Sequence, residues 1–191
     1  MSDHSEELAR RLESFRSYLG LLARLNLDPA LRGKVDLSGV VQQTLYEATQ
    51  VLRQHQPAAD GPLAPLLRRL LANNLADEGR KALAQKRDAG RERSLEAALQ
   101  QSSMHLQAFL AAEQSSPGER AERSEELARM AEALDALPEA QRQAVELHYL
   151  HGWTLEYVGR ELGRSKAAVA GLLQRGLEAL RGRMNAGEGQ P

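Results

Sequence analysis

Lys166, Gln174, Arg175, Arg181 and Arg183 lie within eighteen residues of one another, and they are the side chains of this chain best suited to hold a polyanion. Cations bond phosphate oxygens, and amides and guanidinium groups read base edges. Catalytic chemistry has no comparable cluster. There is no cysteine, so thiolate nucleophiles, disulfides and thiolate metal sites are excluded. No Gly-rich phosphate loop follows a strand, and His4, His55, His105, His148 and His151 are scattered. His148 and His151 stand three apart at a helix end, where capping and partial burial are commoner than metal binding. The residues therefore point to a binding protein, not an enzyme, with no metal and no cofactor.

The elements that must carry these side chains read as a helix, a tight turn and a second helix over Trp153 to Arg183. Leu155, Val158 and Leu162 repeat at helical spacing, and Gly163 ends the first helix, where a left-handed residue costs little. Ser165 caps the next helix, which turns Val169, Leu172, Leu173, Leu177 and Leu180 inward. Pro138 opens a preceding helix that runs to the His151-Gly152 break, and Ser124 to Leu137 forms one more. Trp153 reads as a cap on the core. A compact helical unit with a helix–turn–helix and a net positive last helix is a DNA-binding pattern.

Upstream, Leu8, Leu12, Phe15, Leu19 and Leu22 give one helix over Ser5 to Leu25, and Pro29 to Arg32 allows a short turn. Asp36 or Ser38 caps a helix to Gln54. It is spaced to bury Val40, Val41, Thr44, Leu45, Ala48, Val51 and Leu52, with Gln42, Gln43 and Glu47 outward. Leu63 to Lys86 forms a third long helix, leucines inside and arginines outside. From Asp88 the pattern loosens, although Leu95, Leu99, Leu106, Phe109 and Leu110 allow an amphipathic helix. Ala111 to Arg123 reads as the clearest linker. The expected class is all-α: two small helical domains over residues 1–90 and 124–185, a partly helical linker over 91–123 and a disordered tail over 186–191.

Net charge is -1, which argues against indiscriminate coating of nucleic acid. Charge is instead zoned. Arg68, Arg69, Arg80, Lys81, Lys86, Arg87, Arg91 and Arg93 make the middle basic, and Glu113, Glu119, Glu122, Glu125, Glu126, Glu132 and Asp135 make the next stretch acidic. No apolar run approaches a membrane span, and the amino terminus is amphipathic and mixed in charge, so no membrane insertion and a cytoplasmic location are expected.

In the order of these parts the chain resembles the extracytoplasmic-function sigma factors, small bacterial promoter-recognition subunits of RNA polymerase. The stretch ALPEAQRQAVELHYLHGWTLEYVGRELGRSKAAVAGLLQRGLEALR is similar to their region 4. DLSGVVQQTLYEA (Asp36 to Ala48) and LLRRLLANNLADEGRK (Leu66 to Lys81) are similar to parts of region 2.

The resemblance implies two reading surfaces and a partner surface. The region 4-like helix–turn–helix would meet the -35 promoter element through Arg164, Ser165, Lys166, Ala167, Ala170, Gln174 and Arg175. The region 2-like bundle would melt the -10 element and hold an unstacked base near the Gln56 to Leu63 loop, with Arg69, Asn73, Arg80 and Lys81 supplying amide and cation. Asp36, Val40, Gln42, Gln43 and Thr44 would meet the clamp helices of core RNA polymerase, and its flap would be a second contact. An anti-sigma factor is a further implied partner. The chain departs from the pattern where Ser38, Gly39 and Gln43 replace acids. Phosphorylation of Ser38 or Thr44 by a Ser/Thr kinase would restore that charge. Outside this resemblance, the residues also suit a stand-alone helix–turn–helix transcriptional regulator.

Overall fold

In the computed structural model, which describes residues 2–31, 33–55, 63–83, 89–113 and 120–187, the apolar repeat that begins at Leu8 builds two helices where one was expected. α1 (Ser2–Glu13) ends where the Ser14 hydroxyl donates to the Arg11 carbonyl at 2.8 Å, and the Phe15 amide bonds Leu12 only three residues back. A side chain that competes for a helix carbonyl tightens the last turn and stops it. α2 (Arg16–Asn26) starts afresh and buries Tyr18, Leu19, Leu21, Leu22 and Ala23.

A 3-10 turn (Pro29–Leu31) leads to α3 (Leu37–His55). Asp36 is its cap, the carboxylate accepting from the Ser38 amide at 3.0 Å, so Ser38 lies inside the first turn with its side chain exposed. α4 (Leu63–Leu83) buries Leu63, Leu67, Leu71 and Leu75 at four-residue intervals. Each fully buried leucine side chain contributes about 2 kcal/mol relative to exposure. Arg68, expected outside with the other arginines, is buried: it donates to the Tyr18 hydroxyl at 3.1 Å and the Ser103 hydroxyl at 3.4 Å, and Tyr18 donates to Ser103 at 2.9 Å. This satisfied polar cluster ties α2 and α4 to α5 (Ala89–Glu113), because each buried donor here requires its partner.

The stretch expected as a partly helical linker is thus a helix over its first two-thirds, burying Leu99, Ser103, Leu106, Phe109 and Leu110. Beyond it come α6 (Arg120–Asp135), α7 (Glu139–Val145), a π turn (Glu146–Leu150), α8 (Leu155–Leu162) and α9 (Lys166–Gly187). α9 runs into the expected tail. α6 buries Leu127, Ala128, Met130, Ala131, Ala133 and Leu134 on more than one side, since it lies between α2 and α9. No strand occurs among the described residues, and the fold is all-α as expected. The buried apolar side chains from α1 through α9 form one connected cluster.

Candidate nucleic-acid interface

The hairpin of α8 and α9 is built by small residues at its turn. Thr154 caps α8, its hydroxyl accepting from the Tyr157 amide at 3.4 Å, and Gly163 ends it with φ 61° and ψ 38°. The Arg164 amide then bonds the Gly159 carbonyl at 2.8 Å. A Cβ on Gly159 would come within 2.7 Å of the Arg164 carbonyl oxygen, so Gly159 as well as Gly163 is required for the turn to fold this tightly. Ser165 caps α9 as expected, accepting from the Ala168 amide at 3.2 Å. Val158, Val169, Leu173 and Leu180 are buried between the helices of this unit, with Leu172 and Leu177 half-buried. Gly176 admits α7: a Cβ there would lie 3.1 Å from Val145.

The expected set faces outward on this hairpin. Arg164, Ser165, Lys166, Ala167, Ala170, Gln174 and Arg175 are all exposed. They lie at the amino-terminal end and along the outer side of α9, where unpaired amides and the helix dipole also favour an anion. Besides the Ser165 cap, two of them are engaged within the chain. The Lys166 ammonium donates to Glu156 at 2.6 Å, and that hydrogen bond holds the Glu156 carboxyl below its ordinary range. The Gln174 amide donates to Glu178 at 3.2 Å.

On α4, Arg69, Asn73 and Lys81 share an exposed face at multiples of four residues, with Asp77 between them. Lys81 pairs with Glu78 at 2.6 Å, and Arg80 is half-buried against Asp77. The Gln56 to Leu63 loop falls, except for Leu63, outside the described residues. Sequence reasoning missed the neighbouring Asn74, which donates to Thr44 and to Glu47, each at 3.1 Å.

α3 corrects part of the expected partner surface. Asp36, Gln42 and Gln43 are exposed, and Gln43 donates to Glu47 at 2.8 Å. Val40 and Thr44 are not available to a partner: Val40 is packed in the core, and Thr44 is fully buried with its hydroxyl donating to the Val40 carbonyl at 2.8 Å and accepting from Asn74. Thr44 is for the same reason closed to a kinase. The exposed neighbour that the sequence reading passed over is Tyr46, 59% accessible.

A second overlooked feature is aromatic. The Trp153 and Tyr157 rings meet edge to face at 6.3 Å, and the Arg160 guanidinium lies 4.1 Å above the Tyr157 ring. Trp153 is half-buried and lines an open groove with Tyr157 and Arg160, so it is more than a core cap.

Among the described residues no group of three or more His, Asp or Glu is placed to hold a metal ion, and no helix is long and apolar enough to cross a membrane. No curated protein and no solved structure matches the chain. One family does match: sigma-70, region 4, over residues 127–180. That span begins in α6 and ends in α9, enclosing the capped hairpin, its two required glycines and its exposed cationic face. Over residues 127–180, therefore, the chain is similar to the sigma-70 region 4 family.

Proposed function

We propose that the chain is an extracytoplasmic-function sigma factor that binds core RNA polymerase and directs promoter-specific initiation. The observation that carries this reading is the region 4 match over 127–180 on a hairpin whose outer face presents cations, amides and a helix amino terminus. The region 4-like unit, residues 124–185, takes the -35 element through Arg164, Ser165, Lys166, Ala167, Ala170, Gln174 and Arg175. Much of that grip is on phosphates, because Ala170, Gly171 and Leu172 supply few groups that reach base edges. Residues 1–90 act as the region 2-like unit. There Arg69, Asn73 and Lys81 share the exposed face of α4 that suits a single strand, with Arg80 at its margin. Asp36, Gln42 and Gln43 on α3 meet polymerase, and Tyr46 lies beside them. Ser38, exposed in the first turn of α3, is the position where phosphorylation by a Ser/Thr kinase adds negative charge to that face.

Mixing the purified chain with bacterial core polymerase and measuring promoter-dependent transcription tests the reading. Association with core together with initiation from selected promoters is the expected result. Duplex binding without any association with core would replace this reading with that of a stand-alone helix–turn–helix regulator.

A further inference from the structure

We propose that the groove between α4 and α5 is a guanine-binding site, with Arg68 and Glu96 as the residues that recognise the base. Arg68 is only 9% exposed, and a guanidinium that deep in a protein is ordinarily paired with a carboxylate, because an uncompensated buried charge is costly. Its partners here are two hydroxyls. Nη1 donates to Tyr18 at 3.1 Å and to Ser103 at 3.4 Å, and hydroxyls satisfy hydrogen bonds without supplying a countercharge. Among the described residues Arg68 forms no ion pair.

The unused part of the guanidinium is the part that recognises bases. With Nη1 turned to the hydroxyls, Nε and Nη2 remain, the parallel pair of donors that forks onto two neighbouring acceptors. Among the described residues the buried side-chain atoms without a partner are Arg24 Nε and Gln141 Oε1, so neither Arg68 nitrogen is sealed in the core. They open where Arg68 lines a groove of about 360 Å³ with Pro65, Glu96, Ala97 and Gln100.

Arg68 belongs to α4 and Glu96 to α5, and the two line one groove without pairing. Opposite charges held apart in this way leave room for a group that accepts from the one and donates to the other. A bare phosphate would satisfy Arg68 but meet Glu96 with like charge. Guanine suits both. Its O6 and N7 are the adjacent acceptors that a guanidinium fork takes, and its N1 and N2 carry adjacent N–H groups that match the two oxygens of a carboxylate. Adenine and cytosine offer a carboxylate one amino group, and thymine one ring N–H, so none of them fills both forks. Gln100, exposed one turn beyond Glu96, adds an amide that donates or accepts, and Pro65 and Ala97 supply apolar lining for the faces of a flat ring.

Two sources can present this base. Pro65 stands one turn before Arg69 on the exposed side of α4, so the groove adjoins the face proposed above for a single strand, and an unstacked guanine of that strand can turn into it. A free guanine nucleotide carries the same edges. The site itself does not depend on the sigma reading.

The base can be altered atom by atom while the protein stays as it is. Fluorescence anisotropy with the full chain compares labelled dT strands that carry one central dG, dA or dC, or one analogue: inosine, which lacks the N2 amino group, or 7-deazaguanine, which lacks the N7 acceptor. The dG strand should bind about fivefold or more tightly than the dA, dC and all-dT strands, and each analogue should lose about threefold or more. Glu96→Gln, at an exposed position, should keep the fold, weaken the dG strand and erase the difference between dG and inosine while the loss on 7-deazaguanine persists. Arg68→Lys keeps the charge without the fork and should erase the loss on 7-deazaguanine; if that variant unfolds, Glu96→Gln and the analogues decide. Calorimetric titration of the chain with GMP and with AMP reads the second source, and a preference for GMP that Glu96→Gln removes assigns the site to a free nucleotide. The proposal is overturned if all strands bind alike and GMP binds no better than AMP, or if a guanine preference survives Glu96→Gln unchanged. Core polymerase is absent from every arm, so none of these outcomes bears on the sigma reading.

Discussion

The Lys166 ammonium lies 2.6 Å from the Glu156 carboxylate and joins the second helix of the hairpin to the first across the turn. Both side chains are more than half exposed, at 62% and 58%, so the pair competes directly with phosphate for the same cation. Its hydrogen bond keeps the Glu156 carboxyl below its ordinary range, so the carboxylate is ionised throughout neutral pH. Glu156→Gln should free Lys166 for the backbone. Duplex affinity should rise about threefold or more at low salt, and the slope of log affinity against log salt should steepen by up to about 1. Fluorescence anisotropy at several salt concentrations reads both quantities, and an unchanged slope would show that Lys166 does not meet phosphate.

The two glycines of the hairpin should respond differently to alanine. Gly163 needs only its left-handed φ of 61°, with nothing within 4 Å of an added Cβ. Gly163→Ala should cost about 1 kcal/mol. Gly159 faces the Arg164 backbone oxygen, which a Cβ would approach to 2.7 Å, and backbone cannot swing aside as a long side chain does. Gly159→Ala should therefore cost more, about 2–3 kcal/mol, or a midpoint lower by about 5 °C or more for a chain of this size. Calorimetry of both variants checks the ranking, and a Gly159→Ala midpoint at the wild-type value would rule out the close approach.

Ser38 and Thr44 were equivalent as phosphorylation candidates in the sequence and are opposites in the structure. Ser38→Asp adds charge at an exposed first-turn position and should keep the fold while tightening association with core polymerase. Thr44→Asp forces a carboxylate into a site with no solvent access and displaces a hydroxyl that two groups depend on. It should destabilise by about 3 kcal/mol or more. Circular dichroism on heating, followed by a pull-down with core, separates the two, and a stable Thr44→Asp chain would contradict the burial.

Periodicity read α3 correctly where the resemblance did not. Of the seven positions spaced for burial, Val40, Val41, Thr44, Leu45, Ala48 and Leu52 are buried and Val51 is half-buried. The family pattern assigned Val40 and Thr44 to a partner because a pattern of residue types carries no information on which side of a helix each one faces. The hairpin was legible for a physical reason: Gly163 and Ser165 are local signals that act within one turn. The contact between α2 and the π turn was not legible. Arg24 and Glu146 are 122 positions apart, and the π turn depends on what packs against it. Arg68 likewise looked like a surface cation, and only the Tyr18 and Ser103 hydroxyls from two other helices make its burial tolerable. α6 escaped clear reading because a helix covered on two sides lacks the single apolar stripe that periodicity detects.

Acid titration should expose how α7 supports the π turn. Arg142 donates to Glu139 and, at 2.9 Å, to Glu146. The hydrogen bond from Arg142 is the main cause that lowers the Glu139 carboxyl from its ordinary value of 4.5. Burial opposes the Arg142 charge, yet its bonds to Glu139 and Glu146 raise its proton affinity on balance, so Arg142 stays cationic across the whole acid range. A carboxyl whose folded value is depressed stabilises the fold above its unfolded value and loses that contribution as pH falls through the folded value. Glu139→Gln should accordingly lower the thermal midpoint near pH 7, and the gap to the wild-type chain should close as pH drops below about 4.5. Thermal melts from pH 2 to pH 7 follow that gap directly. A gap that stayed constant with pH would mean that Glu139 acts through packing of the first α7 turn, and Arg142 would then hold Glu146 toward Arg24 without help from it.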